Sequence, residues 1–300
     1  MNPSSSNRLN RPDRAFALRD LLVGLGCLGF LILLQFSANG HLNSSSRLAQ
    51  CLANHQQLGL AWLLYAQDNQ TRLVPNPDIA TAGKSFPSWA GGWLDFTSNN
   101  KDNTNLDYLM KPGAPASPYG GLLGPMVKNA AIFHCPSDDT TVIEGSFRYP
   151  RARSVSMNNY MNGFRYNVAT GVSTLNTFSK VPFTSFRDLS DFTRQTPASA
   201  FVFIDEHPDS INDPVFSMDL SKNLGPGDVL TPDTYILIDY PAGWHNLGAV
   251  LSFADGHAEY WRWQNPQTSP PRPAGGVLSH STRTPNDLDV GRLSLATNRH

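Results

Sequence analysis

Three things are scarce in this 300-residue chain, and each scarcity excludes something. Charge is scarce: Asp, Glu, Lys and Arg make up 16% of the residues, and the net charge is −1. No basic patch stands out, which argues against a nucleic-acid partner. Cysteine is scarce: Cys27, Cys51 and Cys135 are the only three. There is no C-x-x-C pair, so the Cys135-Pro-Ser-Asp138 stretch reads as a turn rather than half of a zinc site. Long apolar runs are scarcer still, with one between Leu21 and Leu34. Glycine and proline, in contrast, number 23 each, so much of the chain must be loop.

The apolar run sets the expected organisation. A spanning helix needs about 20 predominantly apolar residues, and counting from Phe16 reaches that length. Arg8, Arg11, Arg14 and Arg19 crowd its N-terminal side, which orients that side to the cytoplasm. A secretory signal peptide and a buried core helix are the competing readings. The expected layout is a leader over 1–15, a transmembrane helix over 16–39, a periplasmic head over 40–263, and a Pro-rich linker and tail over 264–300. Export would permit a disulfide between Cys51 and Cys135, and two separate buried thiols fit as well.

Arg14-Ala15-Phe16-Ala17-Leu18-Arg19-Asp20 resembles the type IV prepilin signal. The resemblance implies cleavage at Ala15–Phe16 by a prepilin peptidase and N-methylation of Phe16. It also implies pairing of Asp20 with the N-terminal amine of a neighbouring subunit. The chain departs from the family at Ala15, Arg19 and Asp20, where the family favours Gly, an apolar residue and Glu. Further along, Cys51–Pro75, Trp89–Leu94, Phe133–Asp138, Arg153–Met161, Phe201–Asp213 and His245–Gly256 resemble pilin-like proteins carrying a C-terminal H-X9-DG motif. That motif places His245, Asp255 and Gly256. The implied fold is α+β and pilin-like: a long N-terminal helix, half in the membrane and half amphipathic, on a small antiparallel sheet with long loops.

The residues themselves support several of these elements. Leu48, Cys51, Leu52, His55, Leu58, Gly59, Trp62 and Tyr65 form one helical stripe, broadened by Leu60, Leu63 and Leu64. Trp89 and Trp93, in a Pro- and Gly-rich stretch, read as packing anchors. Phe201-Val-Phe-Ile204 has strand length and an apolar run suited to a central strand. It delivers Asp205, Glu206, His207, Asp209, Asn212 and Asp213 into one loop, an oxygen-rich set that suits a hard cation such as Ca2+. A turn whose side chains bond their own backbone explains the same residues. Ala249–Ala254, Asp255-Gly256 and His257–Trp263 read as a hairpin with a two-residue turn. That register pairs Phe253 with Ala258 and Leu251 with Tyr260, and turns their face to the amphipathic helix. A six-residue strand, about 20 Å long, then separates His245 from Asp255, so the motif is not a His–Asp dyad. His245 would bond a backbone carbonyl, or join the Asp205–Asp213 loop as a ligand if the two strands lie antiparallel.

The function these observations imply is structural: a membrane-anchored, single-pass pilin- or pseudopilin-like subunit of a type II secretion or type IV pilus-like system. It is not expected to be an enzyme. Its partners would be other pilin-like subunits and the inner membrane. An exported binding module for glycan or cargo is the alternative, and an anchored metallo-hydrolase the third reading.

Overall fold

The computed structural model describes residues 44–78, 82–167, 172–175, 185–272 and 278–299. The leader, the apolar run, Ala15, Phe16, Asp20 and Cys27 lie outside the described residues.

The first described element is helix α1, Ser44–Asp68. Its buried residues Cys51, His55, Leu58, Trp62 and Ala66 recur every three to four positions, as one face of a helix requires. Leu60 and Leu64 instead point outward, 55% and 39% exposed, so the stripe is narrower than expected. Gln70 and Thr71 turn into the left-handed region and end the helix.

Five strands form the central sheet: β1 Val155–Asn158, β2 Phe201–Asp205, β3 Val215–Phe216, β4 Gly248–Phe253 and β5 Ala258–Arg262. Their order is β5-β4-β2-β1-β3. Strand β2 is central and every residue of it is buried. Its run of Phe, Val and Ile suits a strand covered on both faces. Helix α1 lies on one face. Helix α2, Leu288–Thr297, lies against the other, where Asn158 Nδ2 donates to the Thr297 carbonyl at 2.9 Å. On the α1 face, Trp89 stacks on Phe133 at 6.2 Å and meets Phe203 edge-on at 5.1 Å. Its indole N–H donates to Asn76 Oδ1 at 3.0 Å, which makes the buried ring polar-satisfied as well as packed.

Several expectations are corrected here. The central sheet is mixed, because β3 runs parallel to β1, and among the described residues it is accompanied by one three-stranded and three two-stranded sheets. That is a strand-rich α/β architecture, not a pilin-like helix on a small antiparallel sheet. No helix among the described residues is long and apolar enough to cross a membrane. Helix α1 is long enough at 25 residues, but it carries Arg47, Gln50, Asn54, Gln56, Gln57, Gln67 and Asp68. The single-pass inner-membrane placement with a periplasmic head, and the pilus and secretion assignments tied to it, are therefore not supported. The segment expected as linker and tail is packed: Val290 and Leu293 are fully buried. Asp289 Oδ2 accepts from the Gln264 and Asn265 amides, and so pins the chain after β5 to α2.

The hairpin register is also off by one residue. Leu251 pairs with Glu259 and Ser252 with Ala258. The Gly256 amide donates to the Phe253 carbonyl, and Gly256 has φ +91°. The turn is thus a three-residue loop closed by a glycine bulge, not a two-residue Asp-Gly turn. A one-residue slip exchanges the faces. Val250, Ser252 and Ala258 therefore face α1, with Val250 and Ala258 packed against Cys51. Phe253 lies on the opposite face, stacked on His257 and tilted against Trp261.

Candidate metal centre

Four separate parts of the chain meet at the start of α1. Cys51 comes from the helix and Cys135 from the turn after the short helix Ala130–Phe133. Asp205 is the last residue of β2, and His245 lies in the loop before β4. One ligand-type atom from each lies within 4.8 Å of all the others, and all four residues are buried. The topology explains the meeting. Strands β2 and β4 run antiparallel with Ile204 opposite Leu251, so the end of β2 lies beside the start of β4.

The contacts are specific. The Cys51 thiol donates to Asp205 Oδ2 at 3.2 Å. Cys135 Sγ lies 3.2 Å from His245 Nε2. Three of the four are held by a further group. Asp205 Oδ2 accepts from the Val250 amide at 3.1 Å, and Oδ1 lies 3.2 Å from His55 Nε2. His245 Nδ1 faces Ser137 Oγ at 3.4 Å. The Ser137 amide points at Cys135 Sγ at 3.4 Å.

Burial sets the protonation states. It pushes both thiols above their ordinary value, Cys51 strongly so, and the Asp205 charge adds to the effect on each. For Asp205, burial works upward but His55, the Val250 amide and Cys51 outweigh it, holding the carboxyl below the usual range. Burial lowers His245, with Asp205 opposing and His55 and Arg47 assisting, so its imidazole is neutral at pH 7. Two neutral thiols, one carboxylate and one neutral imidazole result.

The other sequence-level ligands do not join them. Glu206 points away from Asp205, as alternation along a strand requires, and accepts from Ser210 Oγ at 2.8 Å. Burial and Asp239 push its carboxyl well up. Asp209 is held by Arg272 through three N–H···O contacts of 3.1–3.2 Å. Asn212 and Asp213 bond backbone amides of their own loop, at Asp213 and Val215. The expected oxygen-rich calcium loop is therefore dispersed, and among the described residues the only clustered ligand set contains sulfur. Asp255 sits at the hairpin tip with His257, 2.5 Å from its Nδ1, and takes no part. The His245 side chain faces Cys135 rather than a backbone carbonyl. Cys51 and Cys135 do meet, but as free thiols rather than a disulfide.

Sequence reasoning placed Asp205 and His245 in one candidate set, paired Cys51 with Cys135 only as a possible disulfide or two buried thiols, placed His55 only on the buried helical stripe, and missed Ser137. One signal was available: Cys51 and His55 are four apart on a helix, so they share its buried face. No family model, curated protein or solved structure matches this chain.

Proposed function

We propose that this chain is a metal-binding protein whose Cys51, Cys135, Asp205 and His245 hold one zinc ion as a structural crosslink. The observation that carries the reading is the convergence of four buried ligand atoms, two of them sulfur, within 4.8 Å. Structural zinc is four-coordinate and tetrahedral, with Zn–S about 2.3 Å and Zn–N about 2.0 Å. That geometry sets sulfur and nitrogen ligands about 3.5 Å apart, close to the 3.2 Å between Cys135 Sγ and His245 Nε2. Thiolate with imidazole suits zinc and not calcium or magnesium. Four protein ligands with no exposed face leave no position for substrate, which is the pattern of a structural rather than a catalytic zinc.

The surrounding groups support the same reading. A ligating histidine keeps its second ring nitrogen on an outer partner, and His245 Nδ1 has Ser137. Two thiolates and one carboxylate around Zn2+ leave one negative charge. Arg47, one helical turn before Cys51, is half-buried beside the site and offsets it. A thiol–imidazole nucleophile is the second reading of the Cys135–His245 contact. It is disfavoured, because burial raises the Cys135 thiol, whereas an activated cysteine is lowered. Fibre assembly, the expectation from the prepilin-like signal, draws on residues 15–20 and lies outside the described residues.

Titrating the reduced full-length chain with Co2+ and Zn2+ tests the proposal. One equivalent should bind, Co2+ should give thiolate-to-metal charge-transfer bands with intense tetrahedral d–d bands, and Zn2+ should displace it. A weak octahedral spectrum, or no binding, would overturn it. The pH dependence has a definite sign. Asp205 and His245 need lose no proton at pH 7, but both thiols must, so binding displaces about two protons. Affinity should therefore fall as pH falls, by about a hundredfold per pH unit while both thiols stay protonated. Calorimetry in buffers of different ionisation enthalpy counts the protons. His55→Ala should weaken zinc binding by about 10–100-fold, because it frees Asp205 to rotate while leaving all four ligands in place.

A further inference from the structure

The four ligands are not equivalent, because two of them can bond to each other. Cys51 and Cys135 belong to the same small buried cluster, with Val250 beneath them and Leu52 and Ala258 at its edge. Their sulfur atoms lie within 4.8 Å, and both are free thiols. A disulfide needs about 2.05 Å between sulfurs, so the pair must close a short gap. Cys135 sits in a turn, whereas Cys51 is fixed in the middle of a packed helix face. The Cys135 amide is itself anchored on Ser154 Oγ at 2.7 Å, and the Ser137 amide and hydroxyl lie against Cys135 Sγ and His245, so closing the gap means loosening this turn.

Resting on the zinc reading above, we propose that the site is a two-state staple: zinc-loaded when Cys51 and Cys135 are reduced, and a Cys51–Cys135 disulfide with the zinc released when they are oxidised. The oxidant is a hydroperoxide. One thiolate attacks the peroxide oxygen and becomes a sulfenic acid, releasing water from hydrogen peroxide. The second sulfur attacks the sulfenic sulfur, forms the S–S bond and expels a second water. For the loaded site, two thiolates lose two electrons, hydrogen peroxide takes these with two protons to give two waters, and Zn2+ departs. Asp205 and His245 remain but are too few to retain the metal. Both states tie α1 to the Cys135 turn, so the crosslink survives a change of redox conditions while the metal does not. Burial of both sulfurs makes the reaction depend on opening of the turn, and bound zinc should slow it.

The test uses the full-length chain carrying Cys27→Ser, which removes the third thiol. Reduced protein is loaded with one equivalent of zinc, treated with hydrogen peroxide, and followed by a chromophoric zinc chelator and by intact and peptide mass spectrometry. The expected result is one zinc released per loss of two hydrogens, a linked peptide containing Cys51 and Cys135, and recovery of zinc binding after reduction with a phosphine. Metal-free protein should form the same link faster. Zinc binding followed by sulfinic acids at either cysteine, or by oxidation with the metal retained, would overturn the switch and leave the zinc site standing. Failure of the reduced chain to bind zinc would overturn both.

Discussion

Cys51→Ser is expected to abolish zinc binding and to remove the whole of the metal-dependent stability. At free zinc a thousandfold above its dissociation constant, a ligand that binds only the folded chain contributes about 4.1 kcal/mol. In a chain of this size that corresponds to a Tm roughly 6–8 °C higher with zinc than without. The substitution is nearly isosteric. The serine hydroxyl can still donate to Asp205 Oδ2, where the Cys51 thiol donates at 3.2 Å. The metal-free variant should therefore melt close to the metal-free parent, within about 1–2 kcal/mol. Differential scanning calorimetry with and without zinc separates the two. A variant that loses the same stability in the absence of metal would show that Cys51 matters as packing and not as a ligand.

Gly248→Ala is the second large expected effect, and it acts on the same site from the backbone side. A methyl group at Gly248 would stand 2.5 Å from the Trp261 carbonyl oxygen and 2.5 Å from the Tyr260 ring. Neither can retreat freely. The carbonyl belongs to β5, and the Tyr260 hydroxyl donates to the His245 carbonyl at 2.5 Å. Overpacking of this kind costs about 1–3 kcal/mol, and more when backbone is the obstacle. The loss should appear in the metal-free melt. Zinc affinity should fall as well, because the His245 amide donates to the Gly248 carbonyl and Tyr260 steadies the same loop. Gly113→Ala is the contrasting case. Gly113 has φ +81° and open space around it, so its substitution costs only left-handed strain, about 1–2 kcal/mol, with zinc affinity unchanged. A Gly248→Ala chain that binds zinc like the parent would remove this loop from the account of the site.

Some of the molecule was legible before any coordinates. The spacing from Cys51 to Trp62 marks a helix face because a buried face repeats every 3.6 residues, and that pattern needs no partner to be visible. The Phe201–Ile204 run marks a central strand for the same local reason. Asp205 and His245 could be brought together by supposing one antiparallel pairing. The hairpin register failed on a single residue, because Asp255-Gly256 suits either a two-residue turn or the end of a three-residue loop with a bulge. Local sequence does not distinguish the two, and the choice decides which face of β4 meets α1. That the two cysteines join Asp205 and His245 was illegible for a different reason. Spacing rules find a site when two ligands share one turn or one helix, and here each ligand comes from a different element. Cys51 and Asp205 are 154 residues apart, and Cys135 and His245 are 110 apart. The oxygen-rich loop after β2 drew attention instead, although strand alternation sends Glu206 and Asp205 to opposite sides.

The scattering of the ligands has a consequence for the time course of folding. Cys51 is in place once α1 forms, but Asp205 and His245 come together only after β2 and β4 have paired across a long stretch of chain. Contacts of such separation form late. A metal ion there would find no complete site in the early stages, and the rate of folding should be almost indifferent to zinc. The reverse reaction would feel it fully, since the ion must leave before the sheet can part from the helix. Interactions absent from the transition state slow unfolding without hastening folding. The site would then act less as a nucleus than as a latch, closed last and opened first, lengthening the lifetime of a fold that assembles without it.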